Sequence, residues 1–585
     1  MSTTTTESTF IRATSLAELQ TAACQTLSLN GHILALWYVD GQVYAVDNRC
    51  PHMGFPLDRG SVKDGILTCH WHHARFDLES GGTFDQWADD VRAFPVEIRD
   101  GDVWVNLASQ RNPKAHQQER LQVGLERNLS LVIGKAVLTL VDGKDGQTAV
   151  APFRIGLEFG TRYRNGGWGQ GLTILTCLMN LLPHLNERDR PRALYNGLAA
   201  VASDTFGSSP RFMVRPLPDT TTDIATLKRW FRQFIEVRDD EGAERCIISA
   251  IEAGASPQQM ADMLFTAVTD HRYIQIGHPA DFTNKAFEAL DIVGWEFAGP
   301  VLTSLVMGYA QASRMEESNA WRHPIDLIEI LHEAFAQLPN VVAAGEKVGG
   351  NWNGRNDLVP LLLADDPQAS ITALLNSLAA GASPVELAEA VTYAAALRVA
   401  RFHTSNEFGD WDTALHTFTF ANAIMQGLRR APSVALLRGV FDAAMSIYLD
   451  RFLNIPAARI PTANGQIVHA GNTLEQFPPL LNQQQQVNEA AVLVTQFIGG
   501  SGHPDDLLAM LGHLLLREDR DFHTIQCVEA AFNLFSFLQG TEAGTHALIA
   551  AARYLAAHSP TVRAQGQTYQ IAARLHQGEH LFADD

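Results

Sequence analysis

Cys50-Pro-His52 and Cys69-His-Trp-His72 constrain this 585-residue chain more than any other feature. Two thiolates and two imidazoles in C-x-H…C-x-x-H order can hold a [2Fe–2S] cluster, with both cysteines on one iron and both histidines on the other. The same donors can hold a structural zinc ion as a Cys2His2 site. Either way, the local fold must bring two short loops together over one small centre. The flanking residues supply such loops. Residues 32–39, Asp40-Gly41 and residues 43–47 read as strand, tight turn and strand, so Cys50 and His52 fall just past a hairpin. Residues 65–69 run into the second pair of ligands in the same way, and residues 101–107 read as a closing strand.

From Cys50-Pro-His-Met-Gly-Phe-Pro-Leu57 through His70-Trp-His-His-Ala-Arg-Phe-Asp77 to Ser80-Gly-Gly82 and Phe94-Pro95, the chain resembles the Rieske ferredoxins and the Rieske domains of ring-hydroxylating oxygenases. The likeness covers residues 8 to 108. It implies a small all-β domain over 10–108 and a [2Fe–2S] cluster on Cys50, His52, Cys69 and His72. It also implies one-electron transfer, with an external reductase or ferredoxin as donor. Respiratory Rieske proteins carry an extra cysteine in each ligand loop, forming a disulfide beside the cluster. Neither loop has one here, so the resemblance is to the branch that serves oxygenases.

The remaining length calls for at least one larger domain, since domains run to about 100–200 residues. With 46% hydrophobic and 18% charged residues, the chain can bury a substantial core. A formal charge of −20 argues against nucleic acid and anionic membranes as partners. Outside the motif, Cys24, Cys177, Cys246 and Cys527 show no disulfide spacing, which predicts a reduced, cytoplasmic protein. Residues 1–9 read as a disordered polar tail, without the basic start and apolar core of a signal peptide. No stretch has the roughly 18 uninterrupted apolar residues of a membrane span. The polar, aperiodic run over 109–125 reads as a linker. Beyond it, apolar residues at i, i+3, i+4 and i+7 predict a mostly α-helical domain over 126–585.

That domain carries an internal repeat. Ala253-Gly-Ala-Ser-Pro257 recurs as Ala380-Gly-Ala-Ser-Pro384, with glycine to end one helix, serine to cap the next and proline at its first position. Gln259 and Glu386 complete capping boxes. Histidines follow each copy: His271 and His278 after the first, His403 and His416 after the second. Asp291 stands beyond His278 as His416 stands beyond His403. His271 and His278, seven apart, are expected to share one helix face. His403 and His416 are expected on successive helices, broken around Asn406, Gly409 and Asp410. Asp412, one turn before His416, is placed to bind the same metal or to orient the imidazole. His523 in Arg517-Glu-Asp-Arg-Asp-Phe-His523 is a further candidate.

The order of His271-Arg-Tyr-Ile-Gln-Ile-Gly277, His416-Thr-Phe-Thr419, Leu436-Leu-Arg438, Ser446-Ile-Tyr-Leu449 and Asp521-Phe-His523 resembles the questin oxidase-like proteins, over residues 170 to 560. Those are helical non-heme-iron oxygenases of aromatic polyketides. The resemblance implies an iron site that includes His271, His416 and His523. Gln275 and Gln526 stand where that family has a histidine and a lysine. The D-x-x-H-x4-H spacing of the β-rich catalytic domains of Rieske oxygenases is missing.

Any single histidine also has a structural reading, as a neutral core imidazole bonded to a carbonyl. That reading is preferred for His184, His323 and His332, and Lys347 reads as a loop lysine. Gly166-Gly-Trp-Gly-Gln-Gly171 lacks the strand-to-helix context of a phosphate loop, and Gln483–Gln486 reads as a short polar linker. The resulting expectation is an iron-dependent oxygenase. The cluster reduces a non-heme iron bound by His271, His278, His403, His416 and His523, with His416 and Asp412 catalytic, and O2 oxidises a small organic substrate. The alternative is an electron-transfer or redox-sensing protein whose helical domain is a protein-binding scaffold.

Overall fold

The computed structural model describes residues 10–108, 113–218, 222–350, 352–462, 473–500, 502–579 and 581. The expected tail at 1–9 and the first part of the expected linker, 109–112, lie outside them. The chain divides into two compact units, Met1–Asp142 with Gln567–Asp585, and Gly143–Gly566.

In the first unit, the strands are β1 (Phe10–Ser15), β2 (Cys24–Leu29), β3 (His32–Val39), β4 (Gln42–Asp47), β5 (Ser61–Lys63), β6 (Ile66–Thr68), β7 (Arg75–Asp77), β8 (Ala93–Phe94), β9 (Val96–Arg99) and β10 (Asp102–Asn106). They form antiparallel sheets ordered β1-β10-β9, β2-β3-β4-β8 and β5-β6-β7. The expected hairpin is β3–β4, and its turn residues Asp40 and Gly41 both have positive φ, 49° and 84°. That is the turn whose twist matches paired strands.

β3 explains how the cluster loops are placed. Its side chains alternate between two cores. Leu34 and Leu36 pack with Leu19, Phe94, Val103 and Val105 on one side. Ala35 and Trp37 pack with Leu57, Leu67, Phe76 and both motif cysteines on the other. Burial on both faces is why the strand reads as an unbroken apolar run.

Beyond the short helix α1 (Leu16–Ala22), the segment 109–125 is not a linker throughout, because Pro113–Glu126 is helical (α2), followed by another helix at Ser130–Leu140 (α3). Few apolar residues hold α2; Leu121 and Leu125 are its fully buried ones. Polar groups do the anchoring. Arg120 donates to the Gln86 and Ala88 carbonyls at 2.9 and 2.7 Å, and His116 and Gln117 pair with the Asp89 carboxylate at 3.1 Å. A helix held this way leaves no hydrophobic period in the sequence.

The second unit is mostly helical, but its bounds differ from the expected 126–585: α3 and the residues after Gly566 group with the β-domain, which leaves Gly143–Gly566. Both repeat junctions form as read: Ser256–Gln259 and Ser383–Glu386 are complete capping boxes, each preceded by a glycine with positive φ, Gly254 at 81° and Gly381 at 95°. The helices Gln170–Leu181, His278–Val293, Phe408–Arg430 and Phe522–Phe537 pack on one another in a closed cycle. The glycine-rich stretch before the first of these is a turn, and the Gly171 N–H donates to the chain's own Asp204 carboxylate at 3.0 Å. Among the described residues, no helix is long and apolar enough to cross a membrane.

Candidate cluster site and histidine triad

The two ligand loops of the first unit are built alike. Cys50 N–H donates to the Phe55 carbonyl at 2.8 Å, and Cys69 N–H donates to the Ala74 carbonyl at 2.8 Å. Each loop therefore closes on its cysteine and holds its histidine between. Gly54, at φ 87°, makes the first turn possible. Both cysteines are buried, 2% and 1% exposed, with their thiols in hydrogen-bond contact. The His52 and His72 rings meet edge to face with centroids 4.8 Å apart, backed by Trp87 against His52 at 4.7 Å and Trp71 against His72 at 4.4 Å. Burial, aided by Lys135 and His72, pushes His52 down to about 4 and keeps it neutral. Its Nδ1 is buried without a hydrogen-bond partner. Left dry, such an atom costs about 1–3 kcal/mol; as a metal ligand it costs nothing. Two adjacent thiols and two imidazoles on paired loops fit a [2Fe–2S] cluster.

In the second unit, three of the five expected histidines meet. His278 is the first residue of its helix, His416 lies within the Phe408 helix and His523 is the second residue of its helix. One ring nitrogen from each lies within 4.8 Å of the others. His416 Nε2 and His523 Nε2 are 3.1 Å apart. Two nitrogens about 2.1 Å from one tetrahedral ion are about 3.4 Å apart, so the rings need little adjustment to share a metal. Burial, reinforced by the neighbouring imidazoles, pushes His278 down to about 4 and His416 to about 3, so both rings keep their lone pairs.

The triad differs from the expected ligand set in several ways. His271 and His278 do not share a helix face, because Tyr273, Gln275, Ile276 and Gly277 take φ values of 40°, 45°, 49° and 96° between them. His271 instead sits between two carboxylates, Glu316 at 2.8 Å on Nδ1 and Glu236 at 3.2 Å on Nε2. His403 ends in a turn, where its Nδ1 accepts from Ser405 N–H and the Thr404 hydroxyl, both at 3.3 Å. Asp291 is an exposed ion-pair partner of Arg430. The Asp412 carboxylate serves His523 rather than His416: one oxygen is 3.8 Å from His523 Nδ1, and the other accepts the Tyr554 hydroxyl at 2.7 Å. Toward His416, Asp412 offers its backbone instead.

Sequence reasoning missed the polar ladder that continues from the triad. Asp281, one turn after His278, accepts from Gln526, one turn after His523. Further along, buried Lys285 binds Glu529 at 2.6 Å and Glu288 at 2.9 Å, and Asn180 donates to both carboxylates. Burial opposes the ammonium charge, but the two glutamates outweigh it and hold Lys285 well above its usual range. Removing one partner from such a buried pair costs about 3–5 kcal/mol. The available signal was His278-x-x-Asp281 and His523-x-x-Gln526, an i, i+3 spacing that places both polar pairs on the triad's helix faces.

A family model for the Rieske [2Fe-2S] domain matches residues 9–95. The ferredoxin component of the p-cumate 2,3-dioxygenase system of Pseudomonas putida is 30% identical over 82 residues, 14% of this chain and 70% of that protein. The vanillate O-demethylase oxygenase subunit of Pseudomonas sp. (strain ATCC 19151) is 40% identical over 70 residues, 11% of this chain and 21% of that protein. Among solved structures, the ferredoxin of carbazole 1,9a-dioxygenase from Nocardioides aromaticivorans IC177 is 26% identical across 17% of this chain and 97% of that one, with a TM-score of 0.16. The family model and the ferredoxin of the p-cumate system decide between cluster and zinc. By its ligand loops and the sequence around them, the chain belongs to the Rieske [2Fe-2S] family, its N-terminal domain related to the ferredoxin components of dioxygenase systems.

Proposed function

We propose that the helical unit is the catalytic part of an oxygen-activating oxidoreductase, with a non-heme iron held by His278, His416 and His523 and single electrons supplied by the Rieske cluster. The observation that carries this reading is the meeting of three imidazoles from three helices of one bundle. Packing alone does not favour it, since buried polar groups without partners are costly. Iron bound there would activate O2 and would need a one-electron donor to return to its ferrous form. An external reductase or ferredoxin would in turn reduce the cluster.

The chain's own residues suit that task. Three protein donors leave coordination positions open for a small molecule. Phe282 and Phe522 pack against His278 at 5.4 and 5.7 Å, so the surroundings favour a small, largely apolar substrate and disfavour water. Tyr554 fixes the Asp412 carboxylate beside His523, the arrangement that orients a ligating imidazole. Burial pushes Asp281 up to about 7, so it can hold or release a proton near neutral pH one turn from His278.

A reductive titration of the full chain tests the reading. The expected uptake is two electrons per polypeptide, one bleaching the visible cluster spectrum and one not, and a single electron in His278→Ala. A native uptake of one electron, with the cluster fully occupied, would leave the helical unit as a scaffold attached to an electron carrier.

A further inference from the structure

We propose that Lys135 is a positioning residue that raises the reduction potential of the cluster. It lies outside the matched Rieske residues, 9–95, on α3, whose Val132, Ile133, Ala136, Val137 and Leu140 are buried. Lys135 is the helix's one charge. A lysine in such a place usually runs its stem along the apolar surface and puts its ammonium in water. This one turns inward instead. Its Nζ donates to the carbonyls of Pro51 and His52 at 2.5 and 2.8 Å. Those carbonyls belong to the loop that joins Cys50 to His52, so the ammonium grips the backbone between one thiolate ligand and one imidazole ligand.

The charge is retained there at a cost. Burial disfavours the ammonium, the two carbonyls and the nearby Asp89 carboxylate stabilise it, and Arg120 and Arg49 oppose it. Asp89 is itself shared with Arg120, His116 and Gln117, so it offsets the ammonium only in part. Reduction takes the cluster from two ferric irons to one ferric and one ferrous; one electron arrives from the external donor and no bond is broken. The site gains one negative charge. A cation fixed against the ligand loop, and two carbonyl dipoles already satisfied by it, favour the reduced form. Charge and hydrogen bonding around the ligands are among the levers that set such potentials. α3 therefore adds a tuning device to a domain whose matched part is complete without it.

The test is a spectroelectrochemical titration of the full chain, following the visible cluster absorbance in Lys135→Gln, Lys135→Met and Lys135→Arg. Gln and Met should each lower the equilibrium constant for reduction about tenfold, 59 mV for a one-electron couple. Arg, which keeps the charge, should stay close to native. Native midpoints in Gln and Met variants with full clusters would mean that Lys135 only braces the loop, and would overturn the proposal. Should both lose the cluster, Asp89→Asn decides. Removal of the offsetting carboxylate should raise the potential, and an unchanged midpoint would refute the assignment.

Discussion

Replacing His416 by alanine is expected to strip the metal from the helical unit while leaving the visible cluster spectrum intact. His416 is the middle member of the triad, with its ring 4.7 Å from that of His278 and 4.8 Å from that of His523, whereas those two are 6.1 Å apart. Without it, two imidazoles face a gap. Loss of a residue that only orients a ligand costs about 10- to 100-fold in metal affinity or activity, and loss of a ligand should cost at least as much. Asp412→Asn, which removes the carboxylate beside His523 but no imidazole, should fall within that smaller range. His271→Ala and His403→Ala should keep the metal, since neither ring reaches the triad. Metal content after exposure to a chelator, with absorbance as the cluster control, checks all four.

Cys69→Ser should abolish the cluster and all turnover, and should leave the helical unit folded with its own metal bound. The thiolate is the form that ligates iron, and metal lowers a thiol's pKa enough to supply it; a serine hydroxyl holds its proton far more tightly. Cys69 is 1% exposed within the β-domain core, and that core belongs to the first unit alone. Circular dichroism should therefore show unchanged helix content, and metal analysis an unchanged non-cluster iron. Full activity without the cluster would mean that it is not the electron donor.

The first unit was legible wherever chemistry and pattern coincided. The ligand loops announced themselves because few residue combinations can do their work, and β3 with its Asp-Gly turn carried an ordinary hairpin signal. α2 did not, because Arg120, His116 and Gln117 anchor it through hydrogen bonds that leave no hydrophobic stripe. In the second unit, the repeat was legible as caps and misleading as ligands: Ser256 and Ser383 behave alike, but His278 and His403 do not. The reason lies in the run from Tyr273 to Gly277. Three non-glycine residues in the left-handed region are strained by about 1–3 kcal/mol each, and tertiary packing imposes that conformation against local preference. Only Pro279, suited to a first helical turn, hinted that a new helix begins at His278. Asp412 was placed correctly on its helix, but which imidazole it serves depends on the neighbouring helices.

The non-heme iron proposed for the helical unit is distinct from the cluster and adds to its two irons. Iron analysis of the purified full chain, normalised to protein and to cluster absorbance, measures this most directly. More than two irons per polypeptide are expected, with the excess absent from His416→Ala. Two irons per polypeptide in the native chain, all accounted for by a fully occupied cluster, would contradict it.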